Sequence, residues 1–192
     1  MARKVRIRLD KDAVIHAAVE LVNAEGIQAL TLSRLAEELE IQTPSLYNHI
    51  DGLAGLQKDM AILNAKMLAD RLSEASIGKS GAELFMDAAQ AFRNYVKEYP
   101  GLYMSTLRAS GTQQERDEDL IREEERTLKI GSAVIASLGL QGSDAVHALR
   151  AFRSTVHGFV TLEVAGGFGL PLECDESFRR LITALVVGLQ KK

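Results

Sequence analysis

Between Thr31 and Ile50 the chain reads TLSRLAEELEIQTPSLYNHI, and this stretch decides the fold. Thr31 or Ser33 can cap a short helix whose apolar stripe is Leu32, Leu35, Ala36 and Leu39, because a hydroxyl there satisfies an otherwise orphaned backbone N–H. Pro44 suits the first turn of the next helix, where its missing N–H costs nothing, and Leu46, Tyr47 and Ile50 follow it. Two short helices joined by a tight turn form a helix-turn-helix, whose second member fits a major groove roughly 12 Å wide. Leu46 and Ile50 are its expected inner anchors, with the Tyr47 ring partly buried. Gln42, Thr43, Ser45, Tyr47, Asn48 and His49 are then the outward polar set. Asn and Gln can pair bidentately with adenine, a Thr methyl can meet a thymine methyl, and hydroxyls can hold phosphate.

Upstream, a helical period from Asp10 puts Val14, Ala18, Leu21 and Val22 on one stripe and stops at Gly26. Downstream the pattern lengthens. Helices are expected over Leu53–Ser76, from Leu84 to Tyr99, over Leu102–Ala109, Gln113–Leu138, Ser143–Ala165 and Glu176–Leu189. The last carries Phe178, Leu181, Ile182, Leu185, Val186 and Leu189 as an unbroken apolar stripe, which either seals a core or pairs with another subunit. No alternation is strong enough to indicate a strand. The expected architecture is all-α, about nine helices: a three-helix head at residues 1–52, then a larger helical domain at residues 53–192.

Composition agrees. The 192 residues are 46% apolar and 26% charged, ordinary for a globular protein and unlike collagen or a disordered tail. Only 3 prolines and 15 glycines interrupt it, which favours helix over a turn-dense sandwich. The lone Cys174 cannot form an internal disulfide. The basic N-terminus lacks the apolar core of a signal peptide, and the charge-free run Leu181–Leu189 falls far short of the roughly 20 residues that span a bilayer. These features predict a soluble, cytoplasmic chain with no membrane partner.

The formal net charge is −3, unevenly spread. Arg3, Lys4, Arg6 and Arg8 lie in a stretch without an acid, whereas residues 113–126 hold seven acids against three arginines. The basic arm is the evident electrostatic grip on phosphate; the acids complement the start of a helix.

Catalytic and cofactor signatures are missing. Gly78-Lys79-Ser80 resembles the tail of a phosphate loop, but the earlier glycine it requires is Ser73 and no strand precedes it. Gly166-Gly167-Phe168-Gly169 has neither the spacing nor the context of a dinucleotide fingerprint. His16, His49, His147 and His157 are too scattered for two metal ligands on one helical face. His157 and Glu163 fall on different sides of one helix. No cofactor is expected, and no enzyme.

The first helix with Gly26, then Leu30-Thr31, Leu35-Ala36, Leu39, Ile41 and above all Leu46-Tyr47-Asn48-His49-Ile50 together resemble the N-terminal domain of the TetR family of bacterial transcriptional regulators. Further on, Arg153-Ser154-x-x-His157-Gly158-Phe159-Val160-x-Leu162-Glu163 resembles a subgroup with a Trp, His and Gly motif, although this chain has no tryptophan. The resemblance implies a cytoplasmic homodimer, usually a repressor, that binds a palindromic double-stranded operator and leaves it when a small-molecule effector enters the C-terminal domain. Carried over by position, Thr31, Ser33 and Arg34 lie near phosphates, and Thr43, Pro44, Ser45, Tyr47, Asn48 and His49 form the reading helix, with Gln42 beside them. The family commonly has Gly where this chain has Glu40, and a phosphate-gripping lysine where it has Leu53, so phosphate affinity falls to Arg3, Lys4, Arg6 and Arg8. Phe92, Tyr95, Tyr103, Met104, Leu107, Phe152 and His157 are candidates to line an effector cavity, with ordinary core packing as the alternative for each. Phe159, Phe178, Leu181, Ile182, Leu185, Val186 and Leu189 are the expected subunit contact. The alternative is a helical small-molecule-binding protein or enzyme that shares the architecture without binding DNA.

Overall fold

A computed structural model describes residues 9–107 and 117–190. Arg3, Lys4, Arg6 and Arg8 lie outside the described residues, as do residues 113–116 at the expected start of the acidic helix. Nine helices and no strand occur among the described residues: α1 Lys11–Glu25, α2 Leu32–Glu38, α3 Thr43–Leu46, α4 Gly52–Ser76, α5 Gly81–Glu98, α6 Pro100–Thr106, α7 Glu118–Ala136, α8 Gly142–Val164 and α9 Cys174–Gln190. A 3-10 turn, Ile27–Ala29, links α1 to α2. By packing, the chain divides into one unit of residues 1–64 and 99–120 and another of residues 65–98 and 121–192.

In the first unit, Asp10 caps α1 by accepting the Ala13 N–H at 2.9 Å. The α1 stripe Val14, Ala18, Leu21 and Val22 is buried with Leu30, Leu35, Ala36, Leu46, Ile50 and Leu56. Each large member of that set is worth roughly 1.5–3 kcal/mol of burial. α6 joins the same unit through close backbone contact. A Cβ at Gly101 would overlap the Val22 carbonyl, and the Asn23 side chain accepts the Leu102 N–H at 3.0 Å. The end of α1 therefore caps the start of α6, whose own preceding residue, Tyr99, makes no side-chain cap.

The second unit is centred on α5, α8 and α9. Phe85 meets Phe152 edge-on at 4.9 Å, and Phe159 lies 5.1 Å from Phe178. Arg93 is the buried charge of this core, only 1% exposed. Its Nε and Nη2 donate to the two Glu163 carboxylate oxygens at 2.7 and 2.6 Å, Asp175 lies 2.7 Å from Nη2, and the Phe178 ring centroid is 4.9 Å from the guanidinium carbon. Lys97 also donates to Glu163, at 2.8 Å. Glu163, in the motif at the end of α8, is thus one of the acids that make a buried arginine tolerable. Lys79, in the loop that resembles a phosphate-loop tail, pairs with Asp87.

The apolar stripe of α9 divides in two. Phe178, Ile182 and Val186 are 2%, 0% and 5% exposed within a single protomer, and Phe159 of α8 is 9%. These four, expected at a subunit contact, are buried within one protomer and leave a partner little surface to touch. Leu181 is exposed, and Leu185 and Leu189 are half-buried.

Glu163 is held below its ordinary pKa of 4.5, chiefly by its hydrogen bond from Arg93. A carboxylate with a depressed native pKa stabilises the fold above its ordinary range and loses that contribution as pH falls through the lowered value. Chemical denaturation should therefore show Glu163→Gln less stable by about 3 kcal/mol at neutral pH, with the gap to the parent narrowing below pH 4.5. A gap that is constant with pH contradicts this assignment.

Candidate nucleic-acid interface

The helix-turn-helix is built from local chemistry. Thr31 Oγ1 accepts the Arg34 N–H at 3.1 Å and caps α2. At the other end, Glu40 N–H donates to Glu37 O at 3.0 Å and Ile41 N–H to Ala36 O at 3.0 Å, the paired bonds of a Schellman stop. That stop requires a left-handed residue, and Glu40 occupies it at φ 55°. The steric objection to a non-glycine residue here is met at a cost of roughly 1–2 kcal/mol.

α3 is a single α-turn, Thr43–Leu46, with Pro44 in its first turn. The expected helix to Ile50 continues as tightened turns: Asn48 N–H donates to Ser45 O, and His49 and Ile50 N–H to Leu46 O. Leu46 is 0% exposed and Ile50 4%, as their inner placement demands. Gln42, Pro44 and Asn48 stand exposed, with Thr43, Ser45 and His49 half-buried. Tyr47 corrects the expectation of a partly buried ring. It is 61% exposed, because the two apolar anchors already occupy the inner side. Thr31 and Ser33 are exposed at the start of α2.

Electrostatically the head is acidic. Residues 9–58 contain three lysines and arginines against eight acids, and each of those three cations is paired. Lys11 lies 2.8 Å from Asp59 and Lys58 lies 2.9 Å from Asp117. Arg34 bridges Glu25 at 2.7 Å and Glu38 at 3.1 Å. The Lys58 pKa is raised and the Asp117 pKa lowered, chiefly by their mutual hydrogen bond. The Lys11–Asp59, Lys58–Asp117 and Arg34–Glu25 pairings join different elements and left no signal in the motif.

The residues of the expected effector cavity fall in both packing units. Tyr103, Met104 and Leu107 belong to the first packing unit, and Phe92, Tyr95, Phe152 and His157 to the second. Met104 is 48% exposed and does not line an interior. Phe92, Tyr95, Tyr103 and Phe152 are buried as packing residues. His157 is half-buried, with its pKa lowered first by burial and then by Arg153. A crevice that the sequence did not indicate is lined by Ile27, Gln57, Met60, Ser105 and Thr106, but at about 10 Å³ it has room for no more than a water.

A three-helix head with an outward polar turn, followed by a long-helical domain, is the build of a helix-turn-helix regulator. Residues 14–51 match the model of "Bacterial regulatory proteins, tetR family", and residues 85–185 that of "Tetracyclin repressor-like, C-terminal domain". The chain belongs to the TetR family and is a DNA-binding transcriptional regulator. It is similar to an HTH-type transcriptional regulator of Mycobacterium tuberculosis, 28% identical across 96% of this chain and 84% of the relative. It is also similar to one of Bacillus subtilis, 27% identical across 96% of this chain and 94% of the relative. Among solved structures it resembles a TetR variant from Acinetobacter baumannii in complex with minocycline, with a TM-score of 0.69 and 27% identity over 96% of this chain and 98% of that one. No helix of the described residues is long and apolar enough to cross a membrane.

The strain at Glu40 is directly testable. By thermal denaturation, Glu40→Gly should be no less stable than the parent, while the β-branched Glu40→Val should lose about 1–2 kcal/mol. Equal losses in both would show that the side chain of Glu40, rather than its backbone conformation, matters.

Proposed function

We propose that this protein reads a palindromic operator as a homodimer and represses transcription until a small-molecule effector releases it. The observation that carries the reading is the anchored α3 turn, with Leu46 and Ile50 buried and Gln42, Pro44, Tyr47 and Asn48 exposed. In this reading Asn48 and Gln42 face base edges, His49, Thr43 and Ser45 border the groove, and Thr31, Ser33 and Tyr47 meet phosphates. Arg3, Lys4, Arg6 and Arg8 supply most of the phosphate attraction, since the three cations of residues 9–58 are already paired with acids. As a regulator of transcription it acts in the cytoplasm, where the bacterial chromosome lies.

Dimerisation is assigned to the open faces of α8 and α9. Leu162 of α8 and Leu181 and Val187 of α9 are exposed apolar side chains. Gly158 and Gly188 have open space where a side chain would stand, so a partner helix can approach closely. Leu185 and Leu189 border this face. Two heads held one helical turn apart, roughly 34–36 Å, match two half-sites.

Effector response is supported by the related regulator in complex with minocycline; the effector of this chain is a small molecule of its own. A ligand that binds better to one head spacing shifts the population towards it. The link to the head is α6, joined to α5 through Tyr99 and locked to the end of α1 by Gly101 and Asn23.

With an operator recovered by selection from random duplexes, Asn48→Ala should lose about 1–3 kcal/mol at one base position. Arg6→Ala should weaken operator and random duplex nearly equally and flatten the salt dependence. Equal effects from both substitutions would defeat this division of labour. In sedimentation, Leu181→Glu should convert a dimer to a monomer with its helical content intact, and an unchanged dimer would move the interface elsewhere.

A further inference from the structure

Arg34 is carried over by resemblance as a phosphate neighbour, yet its guanidinium is occupied twice by carboxylates of its own chain. Nη2 donates to Glu25 Oε1 at 2.7 Å and Nη1 to Glu38 Oε2 at 3.1 Å. Glu25 is in the last turn of α1, which carries no basic residue, and Glu38 lies four residues along α2 from the arginine. All three side chains are only partly covered, at 36%, 43% and 49% exposure, so solvent and a duplex can reach them. The hydrogen bond that Arg34 donates to Glu25 is the foremost cause of the raised Arg34 pKa.

Binding DNA through a cation gains from displacing the counterions condensed on the phosphates. A cation already neutralised by two carboxylates of its own protein offers less, because phosphate must first take it from them. The carboxylates are also left facing the duplex once it goes. In a helix-turn-helix the helix before the reading helix crosses the DNA backbone, which is the position of α2. We infer that Glu25 and Glu38 are an internal competitor for phosphate that withholds Arg34 and sets the DNA affinity of the head below what its sequence allows. This rests on α3 being the reading element, and it adds two acids as affinity-setting residues outside that element.

The test uses the full chain and random-sequence duplex DNA long enough to span both heads, titrated over a range of salt concentrations. The paired substitution Glu25→Gln and Glu38→Gln should tighten binding roughly tenfold at low salt and steepen the slope of log affinity against log salt by about 0.9 per protomer. Adding Arg34→Gln to that pair should cancel the gain and restore the shallower slope. Glu38→Gln alone, which leaves the tie from α1 through Glu25, should move part of the way in the same direction. Weaker or unchanged binding in a variant that melts like the parent overturns the inference and makes the pair a scaffold contact. A gain that persists without Arg34 also overturns it, since general loss of acidic charge would then suffice. A parent chain with no affinity for any duplex at low salt would instead overturn the α3 reading, and this inference with it.

Discussion

Everything in the head depends on Leu46 and Ile50 being driven out of water. α3 is four residues long, far below the length at which a helix holds in isolation, and the residue before it, Gln42, makes no side-chain cap. The turn exists because two apolar side chains on one side of it enter a core already formed by Val14, Ala18, Leu35 and Ala36. Once they are fixed, the positions between them have one way to point. The exposure of Tyr47 and Asn48 is therefore a consequence of burial at their neighbours.

The same economy explains the charge distribution. A head with eight acids against three paired cations over residues 9–58 is a poor electrostatic magnet. In the proposed reading, attraction to the backbone comes from the arm and discrimination from α3, two jobs on two parts of the chain. In the other packing unit the buried charge is handled differently. Arg93 is retained in the core by Glu163, Asp175 and the Phe178 ring together, and it ties α5 to α8 and to the start of α9.

Much of this was legible from periodicity. The order of nine helices, the buried stripe of α1 and the anchors Leu46 and Ile50 all follow from spacing, whereas Glu40 stood out only through the resemblance, which puts Gly at the position that proves left-handed. What periodicity could not do was divide a wide stripe. On α9, Phe178, Ile182 and Val186 repeat at every fourth residue beside Leu181, Leu185 and Leu189, and only packing shows that the first set faces the core. Contacts between distant residues were equally invisible. Asn23 with Leu102, Arg93 with Glu163 and Arg34 with Glu25 join positions that share no local pattern. The expected cavity residues could not be told from core in the sequence for a related reason: an apolar side chain that lines a cavity and one that fills a core read alike there.

The most direct measurement is an amide-resolved NMR titration of the full chain with an operator duplex selected from a random pool. If α3 reads the groove, the largest changes fall between Gln42 and His49, with the exposed positions moving more than the anchors Leu46 and Ile50. Changes concentrated on α8 and α9, with Gln42 to His49 unmoved at saturation, would contradict the account.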